Sequence, residues 1–424
     1  MKEINCVNIV GLGYVGLPLA LLSAKKYKTV GIDTNKERVA KINAKQSPFL
    51  DNRAANELAD TTLIATTNFS VIKDAQVIVI CVPTPVHEDY QPNLEPVIKA
   101  CENIGQYLTK GQLVILESTV NPGVCEDIVL PVLERTSGLE AGKDFYLAHC
   151  PERINPGDTN WNVANIPRVV GSLESKGLEI ALEFYRSLIG AQIKPMGSLK
   201  EAEAVKVVEN SFRDVNIAFV NELAMSFTKL GIDVVNVIEG AASKPFAFMP
   251  HFPGCGVGGH CIPVDPYYLI EYARQNGFQH DFLSLARKIN NQMPKFTVDL
   301  LISKLAEKNI PLLGTKVSLL GLAYKPDLDD DRESPAYKVL EQLQAHGFVV
   351  SAYDPYIVKG SEKSIEEALE GAKAVIITTS HNIFKNLKPE DLSKYGVEVV
   401  IDGRNCLDKQ SFAQNGIAYQ GIGR

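Results

Sequence analysis

The sequence predicts an α/β protein with two doubly wound parallel sheets, joined by a long central helix and a helical middle domain. Short β-type runs alternate with helical patterns in the first third of the chain and again beyond Lys316. Between them, the segment 200–230 holds no glycine or proline. A chain of 424 residues also exceeds what one hydrophobic core usually supports. We therefore expect a Rossmann-like domain at each end, with domain boundaries at 1–198, 199–309 and 310–424.

The first sheet is predicted from four apolar runs of β type, each followed by a helical pattern. The strands are expected at 7–10, 29–32, 77–81 and 113–116, and the helices at 15–26, 35–45, 93–107 and 123–134. Strands and helices that alternate at this spacing are typical of a parallel sheet. Two further apolar runs, 145–148 and 168–171, extend the same sheet.

The middle of the chain has a helical pattern, and the end repeats the alternation. Residues 200–230 stay periodic throughout, which predicts a helix of about 45 Å at 1.5 Å per residue. A second helical segment covers 281–309. Beyond it we expect the second, smaller α/β domain, with strands at 316–322, 349–354, 374–379 and 397–402 and a helix at 335–346.

Composition and charge narrow the class of protein. Hydrophobic residues make up 45% and charged residues 22%, as in ordinary globular proteins. The net charge of -7 argues against nucleic acid or an anionic membrane as partner. No apolar run is long enough to span a bilayer, and Glu3 interrupts the basic segment that a signal peptide needs. Eight cysteines lie scattered without a disulfide spacing, which indicates a reduced, cytoplasmic protein.

A glycine pattern follows the first predicted strand and opens the first helix. Gly11 makes a tight turn, Gly13 lets the backbone approach a pyrophosphate, and Gly16 lets the helix pack on the strand. Asp33 ends the second strand, where a carboxylate accepts a hydrogen bond from a ribose 2′-hydroxyl and disfavours a 2′-phosphate. We therefore predict NAD as the cofactor. The alternative is a glycine-rich turn in a sheet that binds no cofactor.

Two segments with hydroxyl side chains end later strands of the same sheet. Thr84 lies in the segment VPTP and Thr119 in the segment EST. Both fall at the carboxyl edge, where open α/β sheets bind ligands. Each hydroxyl has an alternative role as a turn or helix N-cap residue.

The segment GVGGHCIPVDPYYL, at 256–269, places Cys261 among residues that suit neither a strand nor a helix. Three interpretations compete: a core thiol, a metal ligand together with Cys255 and His260, and a nucleophile. An adjacent His-Cys pair five residues after the other cysteine is not a usual zinc spacing. The nucleophile fits best, because the neighbouring glycines let substrate and backbone amides come close to a reactive thiol.

A nucleophilic cysteine combined with an NAD site favours one chemistry. The thiol adds to an aldehyde, hydride leaves the thiohemiacetal, and water hydrolyses the resulting thioester to an acid. Asp265 lies four residues after Cys261 and serves as base or water orienter. Its alternative is an N-cap for a helix that begins at Pro266.

The long central helix carries a polar stripe. Lys206, Asn210 and Arg213 follow the i, i+4, i+7 spacing and therefore share one face. Side chains of this kind suit contacts to an oxyanion and to phosphate. A solvated helix face is the alternative, although apolar Val207, Val208 and Phe212 flank the stripe and favour a core-facing helix.

Seven segments, in order, resemble the signature segments of the nucleotide-sugar 6-dehydrogenases, the family of UDP-glucose and UDP-N-acetylhexosamine dehydrogenases. They are GLGYVGLPLA at 11–20, VPTP at 82–85, ESTVNPG at 117–123, CPERINPG at 150–157, NSFRDVNIAFVNELA at 210–224, PGCGVGGHCIPVDPYYL at 253–269 and GLAYKPDLDDDRESPA at 321–336. The resemblance covers nearly the whole chain. It implies a homodimer that oxidises a sugar C6 hydroxyl to a carboxylate through a bound aldehyde, with two NAD⁺ and one water.

The resemblance also implies roles for single residues. Cys261 holds the thiohemiacetal and the thioester. Lys206 and Asn210 stabilise the oxyanion. The residues that position or activate water are Asp265, Thr119 and Glu152. The expected cofactor contacts are Gly11, Gly13, Tyr14, Val15, Gly16, Asp33, Arg38, Thr84 and Thr119. The expected UDP-sugar contacts are Glu152, Arg153, Ile154, Lys206, Asn210, Arg213, Gly258, Tyr324, Lys325 and Arg332. No metal site is predicted.

The segment around the nucleophile separates branches of this family. Members that act on UDP-glucose typically carry Gly-Gly-Ser-Cys-Phe-Pro-Lys-Asp, whereas this chain has Gly-Gly-His-Cys-Ile-Pro-Val-Asp, similar to the branch that acts on 2-acetamido sugars. The segment KPFAFMPHFPG at 244–254 resembles the UDP-N-acetylglucosamine members of that branch. The expected order of substrates is UDP-N-acetylglucosamine, then its galacto and manno epimers, then UDP-glucose.

Other roles stay open. Cys255 stands where the family usually has proline, so it is either inert or a disulfide partner of Cys261 on oxidation. Two other functions compete with the four-electron oxidation: a two-electron dehydrogenase in which Cys261 is a bystander, and an NAD-binding regulator without chemistry. The GGHC loop argues against the first. The presence of Cys261, Lys206 and Asp265 argues against the second.

Overall fold

The computed structural model describes residues 3–49, 52–85, 87, 92–154, 160–259 and 261–424. The chain divides into two compact units, Met1–Glu209 with Tyr267–Phe278 and Asn210–Pro266 with Gln279–Arg424. Each unit is built on one sheet. The division into three domains expected from the sequence stays a prediction.

The first unit contains an eight-stranded sheet in the order β3-β2-β1-β4-β5-β6-β7-β8. Its strands are β1 Cys6–Val10, β2 Lys28–Ile32, β3 Ile64–Thr66, β4 Val77–Ile80, β5 Leu113–Leu116, β6 Tyr146–His149, β7 Arg168–Ser172 and β8 Ile193–Pro195. The six strands predicted from apolar runs are all present. β3 and β8 were not predicted, because three residues are too few to show a β-type pattern.

One strand pair departs from the expected parallel arrangement. β7 runs antiparallel to β6, with Ala148 opposite Ser172, whereas the other described pairs of this sheet are parallel. A parallel neighbour needs a crossover connection, usually through a helix. Between β6 and β7, the described residues 150–154 and 160–167 contain no helix. The chain therefore returns alongside β6 in the opposite direction.

The central strands of this sheet are buried on both faces. Ile9 of β1 and Val79 of β4 pack into one core cluster, whereas their neighbours Val10 and Ile80 pack into another. Successive side chains of a strand point to opposite faces, so each strand contributes to both clusters. This is why the strands were recognisable as continuous apolar runs rather than as alternating ones.

Helices cover the first sheet. They are α1 Gly16–Ala24, α2 Lys36–Asn43, α3 Asn52–Ala59, α4 Glu95–Gly105, α5 Leu130–Ser137 and α6 Ser175–Leu188. A 3-10 helix spans Phe69–Asp74. A π-helical turn, Cys125–Val129, precedes α5 within the segment that the sequence predicts as one regular helix. Turns of this type hold an extra residue and are frequent near functional sites.

The longest helix is α7 Leu199–Leu230, with 32 residues, as the sequence predicts. Of the three apolar side chains that flank its polar stripe, Val207 is buried as expected, whereas the other two are not. Val208 is 54% exposed and Phe212 is 48% exposed. The helix therefore does not face the core at these two positions, and the apolar pattern there marks an exposed surface.

The second unit contains a five-stranded sheet in the order β10-β9-β11-β12-β13, and its described pairs are all parallel. The strands are β9 Lys316–Leu320, β10 Val349–Tyr353, β11 Ala374–Ile377, β12 Val399–Asp402 and β13 Ala418–Gly421. The sequence analysis missed β13, whose pattern is weakly apolar. The α/β fold with two doubly wound sheets is confirmed.

The remaining helices are α8 Val234–Ala242, α9 Asp265–Gln275, α10 Asp281–Glu307, α11 Pro335–Ala345, α12 Ile365–Leu369, α13 Asn382–Lys385, α14 Pro389–Ser393 and α15 Lys409–Gln414. α10 and α11 correspond to the helices predicted at 281–309 and 335–346. Within the described residues, no helix combines the length and the apolar character needed to cross a membrane.

Candidate active site

The turn between β1 and α1 requires glycine at two positions and is open at a third. Gly11 has a φ of 92°, and a Cβ there would lie 2.8 Å from the carbonyl oxygen of Cys81. A Cβ at Gly16 would overlap the carbonyl oxygen of Gly11. At Gly13, in contrast, a Cβ would meet no atom within 4 Å. The backbone is therefore accessible at Gly13, which fits a pyrophosphate bound at the N-terminus of α1.

Asp33 follows β2 and is 5% exposed. Its Oδ2 accepts hydrogen bonds from the backbone N–H of Leu12 and from the Arg38 guanidinium, both at 2.8 Å. Its Oδ1 accepts from the backbone N–H of Asn35 at 2.8 Å. A carboxylate has about four lone-pair sites, so Asp33 is held in place and can still accept a hydrogen bond from a ribose hydroxyl.

A surface of planar side chains lies beside Asp33. The Arg38 guanidinium is 5.6 Å from the ring centre of Phe49, and Phe49 stacks on Tyr14 at 4.2 Å. Tyr14 is 52% exposed, and Val15 occupies the N-cap position of α1. Planar and cationic groups of this kind are suited to stacking against a purine. Phe49 was not predicted from the sequence, because it lies in a segment without a helix or strand pattern.

The two segments that end β4 and β5 are joined by hydrogen bonds. Thr84 donates its hydroxyl hydrogen to the carbonyl oxygen of Thr119 at 2.7 Å, and Ser118 donates to that of Val82 at 2.7 Å. Tyr268 donates to the carbonyl oxygen of Thr84 at 2.7 Å. Thr84 is 4% exposed. Its hydroxyl hydrogen therefore joins the two loops, and its contact with a cofactor stays a prediction.

Glu152 follows β6 and is 6% exposed. Its Oε1 accepts hydrogen bonds from the backbone N–H groups of Arg153, at 2.6 Å, and of Ile154. Its Oε2 accepts from the guanidinium of Arg168 at 3.2 Å. Arg153, a predicted substrate contact, forms an ion pair with Glu209. Three donors thus hold the Glu152 carboxylate in one orientation.

Glu203, on α7, caps the turn that precedes α5. Its oxygens accept from the backbone N–H groups of Gly123 at 2.6 Å and of Cys125 at 2.8 Å. Cys125, His149 and Glu203 also form the one group of metal-ligand side chains found among the described residues, with ligand atoms within 4.8 Å of one another. All three are fully buried and both Glu203 oxygens already bind backbone donors. We therefore assign the group a structural role.

Replacing Glu203 with glutamine is expected to change how stability depends on pH. Burial raises the pKa of Glu203 from 4.5 to about 7, although the two backbone N–H groups act against it. The folded state then binds the Glu203 proton more tightly than the unfolded chain does. The contribution of Glu203 to the free energy of unfolding therefore falls as pH rises from 4.5 to about 7 and stays constant above pH 7. The difference is about 3 kcal/mol. Urea unfolding at pH 5 and pH 8 measures it.

In that experiment, the variant lacks the titrating group, so its unfolding free energy should fall less than that of the parent between pH 5 and pH 8. All other groups titrate alike in the two proteins. Subtracting the change in unfolding free energy of the variant from that of the parent therefore isolates the contribution of Glu203. Equal changes in the parent and the variant would contradict the raised pKa.

Cys261 is exposed, whereas six of the other cysteines are buried and Cys406 is half-buried. The carbonyl oxygen of Cys261 accepts from the backbone N–H groups of Val264 at 3.2 Å and of Asp265 at 2.8 Å, in the turn that enters α9. His260 lies outside the described residues.

Cys255 has a different environment from Cys261. It is fully buried, its backbone N–H donates to the carbonyl oxygen of Gly403 at 3.1 Å, and its thiol donates to that of Thr378 at 3.5 Å. These contacts account for the residue as part of the packing in the second unit. Its disulfide with Cys261 stays a prediction.

Asp265 is 2% exposed, and its Oδ2 accepts a hydrogen bond from the Asn210 side chain at 2.5 Å. The sequence names both residues as candidates but does not indicate that they touch. α9 begins at Asp265 itself, one residue earlier than expected. On α7, Lys206 and Arg213 share the face of Asn210 by the helical repeat. Asn210 is buried and Arg213 is exposed.

The glycine loop that carries Cys261 packs against Tyr324. Gly259 has a φ of 88°, and a Cβ there would lie 2.8 Å from the Tyr324 ring. A Cβ at Gly258 would lie 2.8 Å from the Tyr324 Cβ. The backbone N–H of Gly259 also donates to the carbonyl oxygen of Arg332 at 3.0 Å. The structure therefore brings the glycine loop that carries Cys261 and the predicted UDP-sugar loop together within the second unit.

Charged groups surround Tyr324. Burial and the Asp330 carboxylate raise the pKa of Tyr324, so its hydroxyl remains a hydrogen-bond donor at neutral pH. Arg332 binds Asp330 through three hydrogen bonds of 2.6 to 3.1 Å, and its side chain is 54% exposed. A phosphate at this place would compete with Asp330 for the guanidinium. Lys325, next to Tyr324, is half-buried.

The second sheet repeats the turn of the first. Gly321, with a φ of 102°, and Asp354 take the places that Gly11 and Asp33 hold in the first unit. In both sheets the aspartate accepts from the backbone N–H of the residue after the glycine, at 2.6 Å in the second and 2.8 Å in the first. Despite burial, hydrogen bonds from His381 and the backbone lower the pKa of Asp354 to about 2.

Three segments match the three domains of one protein family. Residues 5–189 match the NAD binding domain of the UDP-glucose/GDP-mannose dehydrogenase family, residues 200–292 its central domain, and residues 318–409 its UDP binding domain. The chain belongs to this family. As a UDP-glucose/GDP-mannose dehydrogenase family member, it is an NAD-dependent UDP-sugar dehydrogenase, and NAD is its cofactor. The resemblance found in the sequence is confirmed.

Relatives from this family extend over the whole chain. The chain is 38% identical to a UDP-N-acetyl-D-glucosamine 6-dehydrogenase of Pseudomonas aeruginosa over 420 residues, which cover 96% of this chain and 98% of that protein. It is also 38% identical to a UDP-N-acetyl-D-mannosamine dehydrogenase of Pyrococcus horikoshii over 424 residues, 99% of each protein. The solved structure of a UDP-D-ManNAc dehydrogenase from Pyrococcus horikoshii superposes with a TM-score of 0.93, at 36% identity and 99% coverage of both chains.

Two arginines of this UDP-sugar dehydrogenase were missed in the sequence analysis. Arg404 follows β12, donates from Nε to the carbonyl oxygen of Thr378 at 2.7 Å and lies beside Gly254. Arg404 follows a strand, and the same position after a strand is what singled out Lys325. The sequence could therefore have indicated Arg404 by the same argument. Arg168 begins β7 and is fully buried. Nothing in an apolar run indicates a buried ion pair.

Proposed function

We propose that this protein oxidises the C6 hydroxyl of a UDP-N-acetylhexosamine, with UDP-N-acetylglucosamine favoured, to the uronic acid through a thiohemiacetal and a thioester on Cys261. The exposure of Cys261 on a glycine loop at the start of α9 carries the proposal. A thiol in such a place is accessible to a substrate carbonyl, unlike the buried cysteines of this chain.

NAD⁺, when bound, accepts one hydride in each of the two oxidations. Its pyrophosphate fits the open backbone at Gly13, and its ribose fits the Asp33 carboxylate. The Cys261 thiolate adds to the C6 aldehyde and forms the thiohemiacetal. After the second oxidation, water attacks the thioester carbonyl carbon, the C–S bond breaks, and the sulfur leaves as thiolate. The products are the carboxylate and the free cysteine.

The other predicted residues take up the charges and protons of these steps. Lys206 and Asn210 stabilise the oxyanion of the tetrahedral intermediates. Asp265 and Glu152 accept protons or orient water, together with Thr119. The hydrogen bond between Asn210 and Asp265 supports a joint role, because the second N–H of the Asn210 amide remains for the oxyanion.

The UDP-sugar itself is assigned to the second unit. Arg213, Tyr324, Lys325 and Arg332 supply donors for the diphosphate and the sugar, and the backbone of Gly258 is a further candidate contact. The support is the contact between the nucleophile loop and Tyr324 and the match of residues 318–409 to a UDP binding domain. A reducing, cytoplasmic location, which we also propose, keeps Cys261 as a thiol.

The epimer is the finer part of the proposal. The segment 244–254 favours UDP-N-acetylglucosamine. UDP-N-acetylmannosamine is the second candidate, because relatives that act on either sugar are equally similar to this chain. UDP-N-acetylgalactosamine and UDP-glucose follow.

Product stoichiometry tests the reaction and the sugar together. NADH formed per sugar consumed is measured for UDP-N-acetylglucosamine, its galacto and manno epimers and UDP-glucose. Two NADH per sugar, with the highest kcat/KM for one 2-acetamido sugar, is the expected result. One NADH per sugar would replace the thioester route by a two-electron oxidation, and no NADH with any of the four would mean that the substrate is a different nucleotide sugar.

We also propose a homodimer, in which a second copy covers an apolar groove of the second unit. The groove has a volume of about 540 Å³ and is lined by Phe212, Phe219, Phe246 and Met249, which are 48 to 66% exposed in the single chain. Exposed aromatic side chains clustered in this way are typical of an interface.

Replacing Phe219 with glutamate is expected to shift the protein from dimer to monomer, because the charge would be buried at the centre of the interface. Sedimentation equilibrium of the parent and the variant measures the change. Leu313→Glu serves as the control, since Leu313 is 82% exposed and lies outside the groove. A parent that sediments as a monomer would contradict the homodimer.

A further inference from the structure

A buried network of four polar side chains lies behind Glu152 in the first unit. Arg168 donates from one terminal nitrogen to Glu117 Oε1 at 2.9 Å and from the other to Glu152 Oε2 at 3.2 Å. Tyr185 donates its hydroxyl hydrogen to Glu117 Oε1 at 2.5 Å, and its ring centre lies 5.5 Å from the guanidinium. We call Glu117, Glu152, Arg168 and Tyr185 the Arg168 network.

Stability alone does not account for this network. Arg168 and Glu117 are fully buried, and Glu152 nearly so. Taking charged groups out of water costs several kcal/mol per ion, and apolar side chains of similar volume often do as well or better. Two carboxylates also face one guanidinium, and burial raises the pKa of Glu117. An arrangement that is costly for folding is more readily explained by what it holds in place.

The group that it holds is Glu152, the member of the network for which we propose a role with water. Backbone N–H groups of Arg153 and Ile154 bind one carboxylate oxygen, and Arg168 binds the other. The two sides together fix both the position and the plane of the carboxylate. Without Arg168, one oxygen loses its donor and the group can rotate about its last bond.

We propose that Arg168 is a positioning residue for Glu152, and that Glu117 and Tyr185 hold Arg168 in turn. The inference rests on the proposed function, in which Glu152 orients or deprotonates the water that hydrolyses the Cys261 thioester. In that step, water oxygen bonds to the acyl carbon, a water proton passes to the carboxylate, and the C–S bond breaks to release the thiolate. Nothing is oxidised or reduced.

Such a residue should affect one step more than the others. Misplacing a reacting group by about 1 Å can cost about 100-fold in rate. If Arg168 positions Glu152, its loss slows thioester hydrolysis, whereas the two earlier oxidations and the binding of NAD and UDP-sugar are affected less. A residue that only stabilises the fold would lower all steps through the amount of folded protein.

The test is Arg168→Lys in the full-length protein with NAD and the preferred UDP-sugar. Lysine keeps the positive charge, but its single ammonium cannot reproduce the planar fork that reaches both carboxylates. We expect kcat to fall about 10- to 100-fold and KM to fall with it, so that kcat/KM, which reports the steps up to the thioester, changes by less than about threefold. NADH should appear as a burst of two per active site, and intact-protein mass spectrometry should detect the acyl group on Cys261.

Two further variants keep the test decisive. Tyr185→Phe removes only the hydroxyl that binds Glu117 and keeps the ring. It therefore tests the network if the lysine variant does not fold, and a weaker burst of NADH is expected.

Arg287→Lys is the matched control. Arg287 is also buried and pairs with Asp214 at 2.5 Å, but in the second unit, so its variant should lose stability without any accumulation of acyl-enzyme.

The outcomes separate this inference from the proposed function. A parent that forms two NADH per sugar, with acyl-enzyme accumulating in Arg168→Lys or Tyr185→Phe and not in Arg287→Lys, supports the positioning role. A parent with two NADH per sugar and network variants without acyl-enzyme overturns this inference alone. A parent that forms one NADH or none overturns the proposed function, and the inference with it.

Discussion

Replacing Cys261 with serine is expected to lower NADH formation by about 1,000-fold or more. A serine hydroxyl is almost entirely protonated near neutral pH, so it adds poorly to an aldehyde where a thiolate adds readily. An ester is also a poorer acyl donor to water than a thioester. Steady-state NADH formation with the preferred UDP-sugar measures the loss, and mass spectrometry of the intact protein should detect no acyl adduct.

Folding and NAD binding should be unchanged in this variant, because Cys261 is exposed and the glycine turn lies elsewhere in the chain. Cys255→Ser is the matched control. Cys255 is fully buried, so we expect that variant to lose some stability and to keep the two-NADH stoichiometry. A Cys261→Ser enzyme as active as its parent would show that Cys261 is structural and that the thioester route is wrong.

Replacing Gly16 with alanine is expected to abolish NAD binding and to destabilise the protein by about 3 kcal/mol or more. The added methyl group would overlap the carbonyl oxygen of Gly11, which is backbone and cannot rotate away. α1 would have to move off β1, and the turn that faces the pyrophosphate would be lost. Thermal unfolding and NAD titration by calorimetry measure the two effects.

Gly13→Ala separates NAD binding from folding. A methyl group at Gly13 would meet no atom within 4 Å, so the melting temperature should stay close to that of the parent. The same methyl group would stand where the backbone approaches the pyrophosphate, and NAD should bind at least about tenfold more weakly. Normal NAD binding by both glycine variants would mean that the turn is not the cofactor site.

Much of the fold was predictable because its signals are local. β1, β4 and β5 are buried on both faces and therefore stand out as apolar runs, and α7 stands out because it lacks glycine and proline. The antiparallel return of β7 was not predictable, since strand direction depends on the path of the connecting segment. Nor did the apolar pattern of α7 reveal that Phe212 is exposed, because an interface and a core select the same side chains.

The candidate site divides in the same way. Gly11, Gly16 and Asp33 were recognised because a turn and a strand end dictate their residue types. The contact of Asn210 with Asp265, 55 residues apart, and that of the glycine loop with Tyr324 arise from packing that no spacing encodes. Thr84 was singled out for a ligand, yet its hydroxyl hydrogen joins two loops.

The sequence by itself determined the two doubly wound sheets, the long helix between them, the glycine turn with its aspartate and the unusual setting of Cys261. Each of these features depends on residues close together in the chain, where the local backbone conformation limits which residue types are possible. Only the tertiary structure decided that Arg168 is buried between Glu117 and Glu152. These ion pairs join residues at the ends of strands that are far apart in the chain. Because the pairs are buried, each charged group needs its partner to offset the loss of water.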